Sequence, residues 1–394
     1  VMTISPVIRR IELSTFTIQI PNIGTDPSGA GVRFAPGPGD PQLRMAVKIH
    51  ADDGLVGEYI PPRGRAAVVV AACNFLAHRL IGKPALHREQ HYRSMRLATK
   101  HVGEVGIGPL DVALWDLAGK CHQQPIYRLL GGYRERLPSY ASTLQGDTEP
   151  NGLSDVKAYA DFAEQCLELG YPAYKMHGWS EGDPTRESDM IQAVCDQVGD
   201  RMQIMYDSSC HLKTFHDAVR VGQVCDDNEL LWFEDPYADG GVSQFGNRSL
   251  KGFVRTPIMV GEHVHTPEAS TELLMSGATD FARPDPDYDC GITGCLKIAN
   301  AAETLGMDTE VHSCGPAMRH LMAAIPKSSF YEVNLLHPKM PNGWSLPVYT
   351  CGYSDDIDCI DKDGTVGVPQ GPGLGVSYDW EHVKRHQVDH VVIE

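Results

Sequence analysis

From residue 137 onward the chain repeats one pattern: a short apolar run of strand character closed by polar residues, then a helical stretch. Strands are expected near 139–143, 173–177, 203–208, 231–235, 258–262, 281–285, 308–312 and 331–334. Helices fit between them, for example over 156–169, 187–198, 214–225 and 293–305. Gly170 and Gly306 stand where the residue just past a helix end favours a left-handed backbone. Eight such strands are what a closed parallel barrel needs. An open doubly wound sheet is the alternative. The barrel is favoured because polar residues end nearly every strand, and in a barrel all those ends ring one site.

Three of the closing residues are carboxylates at nearly equal steps: Asp207, Glu234 and Glu262, 27 and 28 residues apart. Each step is about one strand-plus-helix unit. Carboxylates brought together with no lysine among them repel unless a divalent cation lies between them. All-oxygen ligation points to a hard ion, Mg²⁺. An acidic residue after a strand, taken alone, is more often a helix cap or solvated. The spacing of the three is what makes a shared role the stronger reading.

The region before the barrel is different. Residues 8–20 and 43–50 mix alternation with β-branched residues, and Asp52-Asp53-Gly54 makes a tight turn between strands. The Gly- and Pro-rich stretch 21–41 reads as a mobile loop. Helical patterns follow at 66–80, 86–97 and 105–120. The expected organisation is an α+β domain over 1–135, a barrel over 136–342, and a segment over 343–394 that folds back on the first domain.

Composition limits the partners. The formal net charge of −17 disfavours nucleic acid and anionic membrane surfaces. A bound divalent ion would still let an anionic small molecule enter. No apolar run approaches the length of a membrane span, and no signal-peptide pattern stands at the start. The 11 cysteines include no Cys-x-x-Cys pair, so reduced thiols in a cytoplasmic protein are the simplest reading.

The remaining strand ends add Lys175 and His177, then Asp285, His312 and Glu332. Residues two apart on a strand share a face, so Lys175 and His177 both look inward. With these in view, the chain resembles the enolase superfamily, in its mandelate racemase subgroup. The motifs that carry the resemblance are Leu114-Trp-Asp-Leu-Ala-Gly-Lys, Leu129-Leu-Gly-Gly, the three carboxylates, Gly291-Ile-Thr-Gly, and Asp285 with His312. The resemblance implies a modified TIM barrel, (β/α)7β, with an N-terminal α+β cap over its mouth. It implies that Asp207, Glu234 and Glu262 hold Mg²⁺ and that His312 is a general base oriented by Asp285. Glu332 and Lys175 would contact the substrate carboxylate, and 21–41 would help set specificity. Homo-oligomers are common in the family and are expected here.

Such a site removes a proton α to a carboxylate. Enolase-superfamily sites of this kind use a Lys or His base with Mg²⁺, as is generally established for them. One departure matters. The subgroup often carries Lys-x-Lys on the second strand, whereas this chain has Lys175-Met-His177. A second base facing His312 would then be a histidine, kept neutral by Lys175 and the metal. A further departure is Cys290 before Gly291, where glycine is common.

Two activities fit. The favoured one is dehydration of an acid sugar or related hydroxy acid to a 2-keto acid, in a polar pocket built with His177, His263 and His265. The alternative is a racemase or epimerase of a 2-hydroxy or amino acid, with His312 and His177 on opposite faces. Trp179 would favour the alternative if it walled the pocket for a ring. A metal-binding scaffold without activity is disfavoured by the presence of both the triad and the His–Asp pair. Arg319 and His320 are expected to lie too far into the seventh helix to react.

Overall fold

The computed structural model describes residues 5–25, 32–39, 41–62, 65–340 and 346–394. Its centre is a ring of eight parallel strands. Arg136–Thr143, Ala173–His177, Gln203–Asp207, Phe233–Glu234 and Ile258–Met259 pair in order, and Tyr331–Leu336 closes on the first of them. Phe281–Ala282 and Asp308–Thr309 form a separate parallel pair that completes the ring.

Four of these strands are only two residues long, shorter than the sequence pattern suggests. Side chains replace the ladder there. The Ile258 N–H donates to Asp280 Oδ2 at 2.8 Å, and the Asp280 N–H donates to the Ile258 carbonyl at 2.8 Å. Likewise the N–H groups of Ser329 and Phe330 donate to the Glu310 carboxylate at 2.8 and 3.2 Å. Thr309 joins that edge through a bond to the Lys327 carbonyl.

Helices separate the strands and are locally specified. Asp155 caps Val156–Leu169, Asp183 caps Pro184–Val198, and a Thr214/Asp217 capping box starts Phe215–Asp227. The second of these begins one turn earlier than its apolar pattern, because Asp183-Pro184 is a strong start signal. Inside the ring, Tyr140, Ala173, Met205, Trp232 and Met259 form a buried apolar floor. Period-two alternation carries the chain from floor to mouth: Ala173 to Lys175 and His177, Met205 to Asp207, Trp232 to Glu234.

The cap is an antiparallel sheet in the order Gln387–Ile393, Ile8–Gln19, Pro41–Ala51, Val56–Tyr59. Both ends of the chain therefore contribute to it. Helices Ala66–Ala77, Arg88–Thr99 and Ile107–His122 join it to the barrel. The Trp115 indole N–H donates to Thr293 Oγ1 at 2.9 Å, and Asp111 binds both the N–H and hydroxyl of Thr293. The expected boundary at 342/343 lies outside the described residues.

The stretch 21–41 is not featureless. Residues 26–31 and 40 lie outside the described residues, but Ile23–Thr25 and Val32–Phe34 pair as an antiparallel hairpin. Arg33 bridges to Gln145 of the barrel, and Phe34 stacks on His337 with ring centroids 4.1 Å apart. His337 is in turn held by Asp147 at 2.9 Å. Alanine at Phe34 is expected to raise KM several-fold with a smaller change in kcat, read by steady-state kinetics, because the stack seats this hairpin on the barrel.

Candidate active site

Seven of the eight singled-out side chains are buried, most at or just beyond the C-terminal ends of the strands and Glu332 near the start of Tyr331–Leu336, and the eighth, Glu262, is four-fifths buried. Lys175 Nζ lies 2.7 Å from Glu234 Oε2, 3.1 Å from Glu332 Oε1 and 3.3 Å from Asp207 Oδ2. A lysine thus does stand among the carboxylates, contrary to the expectation from the three closing motifs alone. Lys175 comes from the neighbouring strand, so those motifs could not reveal it.

Arg283 was not among the singled-out residues. It is buried, with Nε 2.8 Å from Glu234 Oε1, and Nη2 3.0 Å from Glu332 Oε2 and 3.2 Å from the Tyr140 hydroxyl. The signal was available: Arg283 is two residues before Asp285 and shares its face. Trp232 also reaches up from the floor, its indole N–H donating to Glu234 Oε2 at 3.2 Å.

His312 and Asp285 are brought together. His312 Nδ1 is 2.7 Å from Asp285 Oδ2, and His312 Nε2 is 2.9 Å from Glu262 Oε2. Asp285 is itself fixed, accepting from the Asp287 N–H at 2.8 Å, while its own N–H donates to Asp289 Oδ2 at 2.8 Å. Asp285 therefore holds the imidazole by a protonated Nδ1 and turns Nε2 to the site, beside Glu262.

His177 enters from another part of the ring. Its Nδ1 is 2.6 Å from the Thr143 carbonyl, and its Nε2 is 3.0 Å from Asp207 Oδ2. Since a carbonyl only accepts, Nδ1 carries a proton and Nε2 is the nitrogen whose protonation can change. Burial alone would raise the Asp207 carboxyl. The adjacent His177 ring and Lys175 ammonium overcome that and hold it well below the usual carboxylate range. Burial likewise disfavours the Lys175 ammonium, but Glu234 and Glu332 keep it firmly protonated.

The charges give a test of the expected ion. Asp207, Glu234, Glu262 and Glu332 carry four negative charges around two permanent cations, Lys175 and Arg283. One divalent cation among them would balance the remaining two negative charges. The donor set fits Mg²⁺, with Asp207, Glu234 and Glu262 offering hard oxygens.

Behind His177 the backbone is pinned. The Tyr159 hydroxyl donates to the His177 carbonyl at 2.6 Å, and Glu187 accepts from the Trp179 N–H at 2.9 Å and the Tyr206 hydroxyl at 3.0 Å. Burial pushes Glu187 up to about 7, with those two hydrogen bonds only partly opposing it. A carboxyl raised on folding contributes stability at low pH and loses it as pH rises towards 7. Glu187→Gln is therefore expected to be ~1–3 kcal/mol more stable than the parent at pH 8, with little difference near pH 4. Denaturant melts at the two pH values check this.

Other expectations sort out plainly. Trp179 is buried against Tyr159 and under Arg186, so it does not wall a pocket. Arg319 pairs with Asp355 at 2.6 Å, and His320 bonds the Leu374 carbonyl, both within the seventh helix and its surroundings. His265 faces Asp289 at 3.5 Å. His263 sits beside Asp235 at 3.1 Å and Glu262 at 3.4 Å. Cys290 has a left-handed backbone at φ 61°, at the start of helix Gly291–Thr304.

Two family models match the chain. Residues 158–383 match the enolase C-terminal domain-like model, and residues 32–131 match the mandelate racemase/muconate lactonizing enzyme N-terminal domain. An L-rhamnonate dehydratase of Saccharopolyspora erythraea is 27% identical, covering 88% of this chain and 86% of its own. A 3,6-anhydro-α-L-galactonate cycloisomerase of Streptomyces coelicolor is 27% identical, covering 96% of this chain and 99% of its own. Among solved structures, D-glucarate dehydratase from Agrobacterium tumefaciens complexed with magnesium superimposes with a TM-score of 0.84. It is 26% identical and covers 98% of this chain and 100% of its own. No helix among the described residues is long and apolar enough to cross a membrane.

Proposed function

The chain belongs to the mandelate racemase/muconate lactonizing enzyme family of the enolase superfamily, and from that premise we propose that it dehydrates an acid sugar to a 2-keto acid. The observation that carries this reading is the pair of imidazoles on separate parts of one carboxylate-lined ring. One is anchored by Asp285 and the other by the Thr143 carbonyl. Relatives that dehydrate rhamnonate and glucarate support the substrate class.

Asp207, Glu234 and Glu262 would hold Mg²⁺, which when bound supplies positive charge to a substrate carboxylate. His312 Nε2 takes the α-proton, and Asp285 stabilises the imidazolium that forms. Lys175 and Arg283 supply fixed positive charge as negative charge moves onto the substrate carboxylate. The electron pair of the broken C–H bond is first held on the substrate carboxylate, from which the proton can still be returned, and then forms the C=C bond as the bond to the β-hydroxyl breaks. His177 in its imidazolium form gives up its Nε2 proton, so that the hydroxyl leaves as water and the ring returns to the neutral form with its proton on Nδ1. The enol product then tautomerises to the 2-keto acid.

The racemase or epimerase reading rests on the same second imidazole, which could return a proton to the opposite face. A panel of acid sugars and other hydroxy acids, assayed with Mg²⁺ in D₂O, separates the two. Formation of a 2-keto acid supports dehydration. Deuterium at the α-carbon without loss of water supports the racemase. Neither product from any panel member would overturn the proposal. A homo-oligomeric assembly is part of the same reading, and sedimentation velocity tests it.

A further inference from the structure

Beside the carboxylate ring lies a cluster of different chemistry. Cys210, Asp235 and His263 each place a ligand atom within 4.8 Å of the others. We propose that these three side chains form a separate binding site for a borderline-soft divalent cation of the zinc class.

The geometry converges on one nitrogen. His263 Nε2 lies 3.1 Å from Asp235 Oδ2 and 3.4 Å from Glu262 Oε1, and Cys210 is within hydrogen-bonding reach of the same ring. A proton on Nε2 can serve only one of these acceptors well. A metal in its place serves all of them. Tetrahedral ligation at zinc–ligand distances of ~2.0–2.3 Å puts neighbouring ligand atoms roughly 3.3–3.8 Å apart, near the 3.1 Å between His263 and Asp235 and inside the 4.8 Å that contains all three ligand atoms.

A second observation points the same way. Asp235 is 1% exposed, and its Oδ1 is buried with no hydrogen-bond partner among the described residues. An unsatisfied buried carboxylate oxygen is costly, and a cation relieves it. The cluster is also shaped for close approach. A Cβ on Gly241 would stand 2.7 Å from His263 Cδ2 and 3.1 Å from Cys210 Sγ, so a side chain there would push on the pair. The Cys210 N–H donates to the Asp235 carbonyl at 3.0 Å, which ties the two loops together. His263 is 45% exposed at its side chain, giving an ion a route in.

The ligand set is what separates this site from the neighbouring one. Thiolate and imidazole favour zinc-class ions over Mg²⁺, whereas the carboxylate ring offers oxygens alone. Glu262 lies at the border of both, so occupancy of the second site would draw on a residue of the first.

The test is a Zn²⁺ titration of the full chain by calorimetry in saturating Mg²⁺, followed by Co²⁺ as a spectroscopic probe. One Zn²⁺ bound per chain is expected, with a thiolate-to-cobalt charge-transfer band in the near ultraviolet. Cys210→Ser should abolish the band and weaken Zn²⁺ by at least tenfold, and His263→Gln should weaken it similarly. Circular dichroism controls for folding of each variant. Absence of Zn²⁺ binding in saturating Mg²⁺, or a band and affinity unchanged in Cys210→Ser, would overturn the proposal.

Discussion

Replacing His312 with asparagine is expected to lower kcat by ~10²–10⁴-fold, the usual contribution of a positioned general base. The side-chain amide can still donate to Asp285, so the local packing survives while the basic nitrogen facing the site is lost. Substrate binding should change little, because Lys175 and Arg283, the cations proposed to face the substrate carboxylate, come from other parts of the ring. Exchange of the α-proton in D₂O should vanish together with turnover. The companion variant His177→Asn discriminates between mechanisms. In a racemase it should abolish interconversion, because one face then has no base. In a dehydratase it should leave exchange catalysed by His312 measurable while slowing loss of water. Turnover of His312→Asn at the parent rate would remove the base assignment, and equal loss of exchange and elimination in His177→Asn would argue against its role as the departing hydroxyl's acid.

The parts of this molecule that could be read from the chain are those with a local signature. Each strand end carries a polar residue at a fixed place in a strand–helix period, and that is enough to gather Asp207, Glu234, Asp285 and His312. Helix starts were legible at Asp155 and Thr214, whereas the start capped by Asp183 lies a turn before its apolar pattern. What escaped depends on which strand lies beside which. Lys175 was visible as an inward residue, but its place between Asp207 and Glu234 follows only from the pairing of adjacent strands. Arg283 escaped because it lies inside the expected strand 281–285, and only the residues that close the strands were singled out. The hairpin within 21–41 escaped because glycine and proline content signals turns without saying what the intervening residues pair with. The grouping of Cys210, Asp235 and His263 draws on three separate loops and has no spacing signature at all.

Arg283→Met is expected to destabilise the fold by ~3–5 kcal/mol in the absence of divalent ions, because it strips the counter-charge from two buried carboxylates. The guanidinium now touches Glu234, Glu332, the Tyr140 hydroxyl and the Val311 carbonyl, so one substitution breaks contacts to three strands. Methionine roughly fills the space, which keeps cavity formation from dominating the effect. The more telling quantity is the difference between melts with and without Mg²⁺. With only Lys175 left against Asp207, Glu234, Glu262 and Glu332, the ring carries one more uncompensated negative charge. If the ion sits among these oxygens, it should recover part of the lost stability, so Mg²⁺ should raise the variant's Tm by more than it raises the parent's. Lysine at 283 should fall between the two, since it restores charge but cannot reproduce the forked contact to Glu234 and Glu332. An identical Mg²⁺ response in parent and variant would place the ion away from Glu234. A stability loss below ~1 kcal/mol would show that water enters the ring and screens its charges, and the electrostatic account of the site would then have to be rebuilt.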